Sequence, residues 1–396
     1  MKPNCIIVHY HEIALKGDNR SFFERQLKNS MTIAAAHLGV ARIELLRGRI
    51  VAHLEPSAKI DEVIAALKKV CGIAYFAPAV LSGQEVDEMA EIAVSLVKGL
   101  TFESFCVRAR RTQKTFPLTS VEINTRIGAK IQQHVSARVD LKNPEMTVHI
   151  EIYDKSALIY CGKIDGMGGL PVGSSSRAVS LLSSGIDSPV ASWKLIRRGV
   201  RTTFVHFHSA PYTSNASITN TKRLTELLTE YQYRSKLYIV PFLDIQQHIT
   251  STAEGKYRVI LYRRMMLRIA EKIAKRENAF ALVTGDNVGQ VASQTLPNMF
   301  AINEVTRLPV LRPLAGEDKQ DIINLAKRIG TFDVSIEPYD DCCSLFVPKN
   351  PETNARVNLV REQEIDLDID GLIQKALDAS EIIHFKFKQG VVTQSS

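Results

Sequence analysis

Two kinds of hydrophobic patterning divide this chain near its middle. In the first part, strand-like and helix-like stretches follow one another irregularly. Residues 5–10 are apolar and strand-like, and 19–38 form a basic amphipathic helix with Phe22, Phe23, Leu27 and Met31 at helical spacing. Two short strands follow, over 41–45 and 49–54. The order β-α-β-β predicts a small α+β module over residues 1–57. A second module is expected over 58–165. It has helices over 60–70, 86–97 and 120–135, the last capped by Ser120, and a turn into a strand over 71–77. A strand at 104–111 and a hairpin of 147–152 with 157–164 around Tyr153-Asp-Lys-Ser156 complete it.

A stretch rich in glycine, serine and proline, 166–177, reads as a linker. Beyond it, over 178–396, the pattern is strict alternation. Apolar strands near 178–182, 202–208, 236–242, 280–284 and 309–314 are separated by helices near 186–198, 216–231, 259–276, 288–300 and 319–329. That alternation predicts an α/β fold with a doubly wound parallel sheet. The last residues, 390–396, are expected to fray. Such sheets bind ligands beyond the carboxyl ends of their strands. Ser183–Ser188, His206-Phe-His208-Ser209 and Thr284-Gly-Asp286 all fall there.

The first of these stretches has the most chemistry in it. Ala178–Trp193 reads AVSLLSSGIDSPVASW: a strand, a small-residue turn, then a helix start. Asp187 and Ser188 occupy N-cap positions, Pro189 lies in the first turn, and Gly199 follows the last. Free N–H groups and the helix dipole converge at such a turn and favour an anion. By itself so short a turn is more often an ordinary connection than a site. It is not a Walker A loop, because no GxxxxGK[ST] occurs.

Composition narrows the class. Among 396 residues, 45% are hydrophobic and 23% charged, with a net charge of +8. Two or three domains are expected at this length. No apolar run approaches the ~20 residues that span a bilayer, and the start lacks a secretory h-region, which points to a cytoplasmic protein. The basic surplus is even, with 22 basic against 18 acidic residues up to Leu170 and 28 against 24 after it. Its densest cluster is Arg108, Arg110, Arg111 and Lys114, a candidate phosphate-contacting edge or equally a solvated strand end. Cys5, Cys71, Cys106 and Cys161 lie in apolar contexts and read as reduced and buried, while Cys342-Cys343 lies in a loop. His9 and His11 share a strand face, better explained as a polar face than as a metal site.

Taken together, the words along the chain resemble the tRNA 4-thiouridine synthetase (ThiI) family. Ser183-Ser-Gly-Ile-Asp-Ser188 looks like the SGGxDS pyrophosphatase (PP) loop. Around it stand Val205-His-Phe-His-Ser209, Arg263-Arg-Met-Met266, Gly289-Gln-Val-Ala-Ser-Gln-Thr295, Arg312-Pro-Leu314 and Pro338-Tyr-Asp-Asp-Cys-Cys343. In the front half, Glu12-Ile-Ala-Leu-Lys-Gly17 resembles the family's ferredoxin-like domain. Val107-Arg-Ala-Arg-Arg111 with Phe116-Pro-Leu-Thr-Ser120 resembles its THUMP domain, which grips tRNA.

The resemblance implies a PP-loop ATP pyrophosphatase domain of the adenine nucleotide alpha hydrolase-like kind behind small ferredoxin-like and THUMP domains. It implies a two-step reaction at uridine 8 of tRNA, in which ATP adenylates the C4 oxygen and sulfur then displaces AMP. The nucleotide would meet Leu181, Leu182, Ser183, Ser184, Gly185, Ser188, His206, Phe207, Arg263, Gly285 and Gln294. Asp187 would act through Mg²⁺, and Lys319 would stabilise charge near the phosphates. Cys342 or Cys343 would carry persulfide sulfur: counting from Lys319 selects the first, counting back from Pro351 the second. Flanking Asp340 and Asp341 would raise a thiol pKa there.

Implied partners are tRNA and a cysteine desulfurase, with room for a homodimer and no membrane. About 50 residues follow Cys343, fewer than the C-terminal rhodanese domain of some members needs, so direct delivery of sulfur by the desulfurase is expected. The family's second role, sulfur supply for the thiazole of thiamine, is tied to that domain. Two rivals compete. An RNA methyltransferase would need a glycine-rich cofactor loop where this chain has SSGIDS, and a non-catalytic tRNA binder would not split ATP. One residue departs from the family pattern: Ser184 replaces a glycine. A serine in the left-handed region would cost roughly 1 kcal/mol.

Overall fold

The computed structural model describes residues 2–112, 114–339, 346 and 348–395. The chain separates into two compact units, 1–171 and 172–396.

The first unit holds β1 (Cys5–His9), α1 (Arg20–Ala35), β2 (Val40–Leu46), β3 (Arg49–Leu54), α2 (Ile60–Lys68) and β4 (Tyr75–Ser82). It continues with α3 (Val86–Val97), β5 (Ser104–Arg111), α4 (Ser120–Gln132), β6 (Arg138–Val139), β7 (Met146–Ile152), β8 (Ala157–Cys161) and β9 (Ile164–Asp165). One mixed sheet runs β2-β3-β1-β4-β8-β7-β5-β6, with β9 pairing β4. β4 bonds to β1 on one side and β8 on the other, so the sheet is continuous across both expected modules. Alternate residues of the strands face two ways. Val107, Val148, Ile150 and Ile159 pack with Ile92, Ile123 and Ile127 of α3 and α4. Cys5, Ile7, Val51, Leu158 and Tyr160 form a second apolar cluster. The cap of α4 is Thr119 rather than Ser120: its hydroxyl accepts the Glu122 N–H while the Glu122 carboxylate accepts the Thr119 N–H, a reciprocal capping box.

The second unit contains β10 (Arg177–Leu181), α5 (Asp187–Arg197), β11 (Arg201–His208), α6 (Ala216–Gln232), β12 (Arg234–Pro241), α7 (Leu243–Thr252), α8 (Arg258–Arg276) and β13 (Leu282–Val283). Then come α9 (Leu296–Asn303), β14 (Val310–Leu311), α10 (Lys319–Ile329), α11 (Phe332–Ser335), α12 (Val357–Glu362), α13 (Ile369–Asp378), β15 (Glu381–Lys388) and β16 (Val391–Ser395). The sheet order is β14-β13-β10-β11-β12-β15-β16, and the first five strands are parallel. The order reverses around β10, where a doubly wound sheet opens its ligand crevice. α8 is buried along most of its length, and its Ile260, Met265, Ile269 and Ile273 pack beneath Val179, Val205 and Val240.

Two further expectations change. The end of the chain is not frayed: β16 pairs β15, and β15 pairs β12 antiparallel, so residues 391–395 complete the sheet. The helix expected over 288–300 is broken. Gly289 takes φ +75°, a 3-10 turn spans Ala292–Gln294, and Thr295 caps a fresh helix, α9, with Pro297 in its first turn.

Candidate active site

Ser188 shapes the turn between β10 and α5. Its hydroxyl accepts the Ser183 N–H (2.8 Å) and donates to the Ser183 carbonyl (3.1 Å), while Ser183 Oγ accepts the Gly185 N–H (3.3 Å). The helix N-cap is Ile186, which offers no capping side chain, and Asp187 is the first helical residue. Neither Asp187 nor Ser188 is therefore the cap. The first turn of α5 keeps N–H groups that no side chain at the cap satisfies, bordering a cavity of about 330 Å³.

Asp187 faces away from capping duty. Its Oδ1 lies 2.5 Å from Lys319 Nζ and its Oδ2 accepts from Gln290 Nε2 (3.0 Å). Lys319 opens α10, whose cap is Asp318. Gly285 lies against the same helix start. A Cβ there would stand 2.8 Å from Ser188 N and 2.9 Å from Ser188 Cα, so only glycine lets the segment after β13 come this close.

The cavity is lined by Leu181, Leu182, Ser183, Gly185, Asp187, Ser188, His206, Phe207, Arg263, Gly285 and Gln294. Ser184 is the one expected nucleotide neighbour that does not line it. It is buried, stays out of the left-handed region, and its hydroxyl has no hydrogen-bond partner. His206 Nδ1 lies 2.9 Å from the Leu182 carbonyl, which orients the ring, and Phe207 packs edge-on against Phe242. Leu181, Phe207 and Met266 give the cavity an apolar wall suited to a base.

Asp286 organises the opposite wall. It accepts from Arg263, from Arg312 Nε (3.1 Å) and from Thr284 Oγ1 (2.8 Å). Burial alone would raise its pKa. The charge and hydrogen bond of Arg263, the Thr284 hydroxyl and the Arg312 charge outweigh that and hold it below the usual carboxylate value. Arg263 also reaches Ser293 (3.0 Å), and Arg312 reaches Asn303 (2.7 Å). Two guanidinium groups thus meet on one carboxylate in the cavity wall. Asp286 and Arg312 sit in motifs visible in the sequence, at a strand end and in Arg312-Pro-Leu314, but local pattern assigns them no partner. Gln290 and Ser293 come to the site because the segment 288–295 is a loop and not the expected helix.

Among the described residues no group of three or more His, Cys, Asp or Glu could hold a metal. Cys342 and Cys343 lie outside the described residues. Tyr339, three positions before Cys342, lines the cavity. The other four cysteines are free; Cys5, Cys71 and Cys106 are buried and Cys161 is partly so. Burial pushes the Cys5 and Cys161 thiols up to about 12, far from thiolate chemistry.

In the first unit, Arg108 and Arg110 are exposed on one face of β5, and Lys114 is exposed in the turn beyond. Arg111 is not with them. It points to the other face and donates to the carbonyls of Phe116 (3.3 Å) and Leu118 (2.8 Å), holding the loop that precedes α4. His9 stacks on Tyr75 with ring centroids 4.1 Å apart, as part of an aromatic face.

A doubly wound α/β unit with a serine–glycine anion turn at its carboxyl edge, joined to a mixed-sheet unit, defines a nucleotide-dependent enzyme of the PP-loop class. The chain belongs to the ThiI family. The family described as "Thiamine biosynthesis protein (ThiI)" matches residues 173–369, the ThiI ferredoxin-like domain 5–77 and the THUMP domain 83–161. A probable tRNA sulfurtransferase of Coxiella burnetii is 43% identical over 389 residues, covering 96% of this chain and 99% of that one. One of Thermoanaerobacter sp. is 42% identical over 362 residues, covering 91% and 94%. The crystal structure of a 4-thiouridine synthetase–RNA complex with bound ATP superposes with a TM-score of 0.89 at 35% identity, covering 96% of this chain and 99% of that one.

Proposed function

We propose that this chain is an ATP-dependent tRNA sulfurtransferase that converts a uridine, at position 8, into 4-thiouridine. The observation that carries the reading is the meeting of Asp187 and Lys319 at the uncapped start of α5, on the lip of a cavity with one apolar and one cationic wall.

The parts divide the work. The N–H groups in the uncapped first turn of α5 receive phosphate oxygens at the positive end of the helix. The apolar wall takes the adenine, and Arg263, fixed by Asp286 and Ser293, faces the phosphates as a rigid guanidinium. The uridine C4 oxygen attacks the α phosphorus and pyrophosphate leaves. Lys319 offsets the negative charge that develops, from a flexible stem that lets it leave Asp187 for the phosphates. A carboxylate beside a phosphate site, once its lysine has swung to the phosphates, suits Mg²⁺, which binds through one or two carboxylates plus substrate phosphates. Asp187 would hold it, and the ion would supply charge neutralisation. In the second step the outer sulfur of a persulfide borne by Cys342 or Cys343 displaces AMP from C4. A second thiol then attacks the cysteine sulfur, breaking the S–S bond to free 4-thiouridine and leaving a disulfide that a thiol reductant must reopen. A cysteine desulfurase is the proposed donor, a second copy of the chain a proposed partner, and the cytoplasm the proposed compartment. Among the described residues no helix is long and apolar enough to cross a membrane.

Pyrophosphate release with ATP and unmodified tRNA, followed by nucleoside analysis, tests the reading. Wild-type protein is expected to release pyrophosphate and, with persulfide, to form 4-thiouridine; a methyltransferase or a passive binder would do neither. Lys319→Ala should slow pyrophosphate release by roughly 10²-fold or more, the scale of losing one stabilising charge. Cys342→Ser and Cys343→Ser, made separately, should leave that step intact, and the one that loses 4-thiouridine identifies the sulfur carrier.

A further inference from the structure

The amino edge of the second unit's sheet, opposite the cavity, carries a row of cations in register. Arg177 pairs level with Arg201, and the β11–β12 register, Phe204 with Leu237, sets Arg201 level with Arg234. Arg234 in turn pairs with Lys386. Residues level across a sheet project to the same face. At ~4.8 Å per strand the four charges spread over about 14 Å. At the other end of the row, Phe280 donates its N–H to the Arg177 carbonyl (3.0 Å) and leaves its ring 68% exposed.

All four cations are exposed. Among the described residues none has an ion-pair partner. The buried acid beside them, Glu277, accepts instead from Lys236 (2.8 Å) and Tyr238 (2.7 Å), and offers Arg177 its backbone carbonyl (3.2 Å). Like charges opposite one another weaken a sheet. Arg201 registers this in part: partial burial of its side chain, and then the charges of Arg177 and Arg234, pull its pKa down, yet an arginine does not discharge. The fold therefore keeps a repulsion that an anionic partner would relieve. A small phosphate is gripped by convergent donors. Evenly spaced cations along a line suit an extended polyanion, and an exposed ring at the end of the line suits a stacked base.

We infer that this row is an RNA-contacting surface, separate from the arginines of β5, which holds the phosphate backbone of the tRNA with a base against Phe280. The inference rests on the tRNA reading above. The row lies four residues, about 13 Å, along β10 from Leu181 of the cavity, a short distance beside the length of a tRNA.

The test is binding of unmodified tRNA across a series of KCl concentrations. For Arg201→Gln/Arg234→Gln, the slope of log K against log salt should become shallower by roughly 1.4–1.8, at about 0.7–0.9 for each phosphate that is no longer neutralised. Phe280→Ala should weaken binding roughly fivefold or more with the slope unchanged. Stabilisation of each variant by ATP against heat should match wild type, showing that the unit is folded. An unchanged slope in the double variant overturns the inference. So does a change in oligomeric state with an unchanged slope, which would make the row a protein interface. If wild-type protein thiolates tRNA and the slope is unmoved, only this inference fails; if wild type does not bind tRNA, the functional reading fails with it.

Discussion

In each unit a buried carboxylate sits among arginines and hydroxyls, Glu151 in the first and Asp286 in the second, and the two do different work. In the first, Glu151 accepts from Tyr153 (3.0 Å), Tyr160 (3.0 Å) and Arg49 (3.3 Å), with His9 Nε2 3.6 Å away. These groups come from β1, β3, β8 and the end of β7, so the cluster ties strands of the sheet to one another. Rings close over it, with His149 stacked on Tyr160 at 4.8 Å. In the second, Asp286 holds Arg263 and Arg312, both of which line the cavity. One acid against one arginine is balanced and closed. Asp286 instead presents both its arginines to the cavity. Where the arginines face, and not burial, distinguishes a ligand wall from a structural tie: Glu364 is buried with Arg264 and Arg268, and none of the three lines the cavity.

Removing the acid of the open cluster should do the most damage. Asp286→Asn leaves two guanidinium groups without their anion and is expected to cost about 3–5 kcal/mol of stability by urea unfolding. ATP affinity should fall with it, because Arg263 loses its position. Glu151→Gln keeps the shape of the closed cluster and should cost about 1.5–3 kcal/mol, with ATP affinity unchanged. Equal effects of both on ATP would erase the distinction.

Acid should separate the units more gently. Burial, then the charges of Arg49 and Lys163, bring the His9 pKa down to about 2; burial and Lys163 bring His149 to about 4. Unfolded, both titrate near 6.5. Below that value the unfolded chain takes up protons that the folded unit refuses. Their contribution is thus complete above pH 6.5 and is lost as the pH falls toward the folded values, by up to about 1.4 kcal/mol per pH unit for each histidine. In the second unit burial lowers His208 in the same sense. Asp286 and Glu364 are carboxylates held below their usual value, despite burial, by their arginine partners. Their contribution persists until the pH drops below about 4. Amide exchange at pH 7 and pH 5 should therefore accelerate more, after correction for intrinsic rates, in β1, β7 and β8 than in β10. Uniform acceleration would contradict this assignment.

The smallest expected effect belongs to the residue that departs from the family pattern. Ser184 stays out of the left-handed region and buries an unpaired hydroxyl away from the cavity. Ser184→Ala should leave pyrophosphate release unchanged and raise stability by about 1 kcal/mol or less. A large loss of activity would show that the hydroxyl meets ATP after all.

Period-2 and period-3.6 patterns and small-residue turns are properties of neighbours in sequence. The five parallel strands, the helices between most of them and the 183–188 turn were legible for that reason. So were the positions of eleven cavity-lining residues, once the family words around the turn were read. Local signals missed α7, α12, α13 and β15, and misplaced what a single residue or a distant partner controls. Ser120 looks fit to cap α4 until Glu122 answers its neighbour Thr119 instead. Gly289 breaks a helix that the apolar spacing favours. The chain end looked frayed because β15 finds its partner in β12, 152 residues before Lys386 at the Arg234 position. Lys319 reaches Asp187 across 132 residues. Asp286 gathers Arg263 and Arg312, and Arg177, Arg201, Arg234 and Lys386 fall level, only through strand order and register. The sequence alone determined which segments become strands, helices and an anion turn, since short-range sterics and burial periodicity act within a few residues. Which charges meet was decided by tertiary structure, because pairing in a folded sheet depends on the order in which distant strands lie side by side.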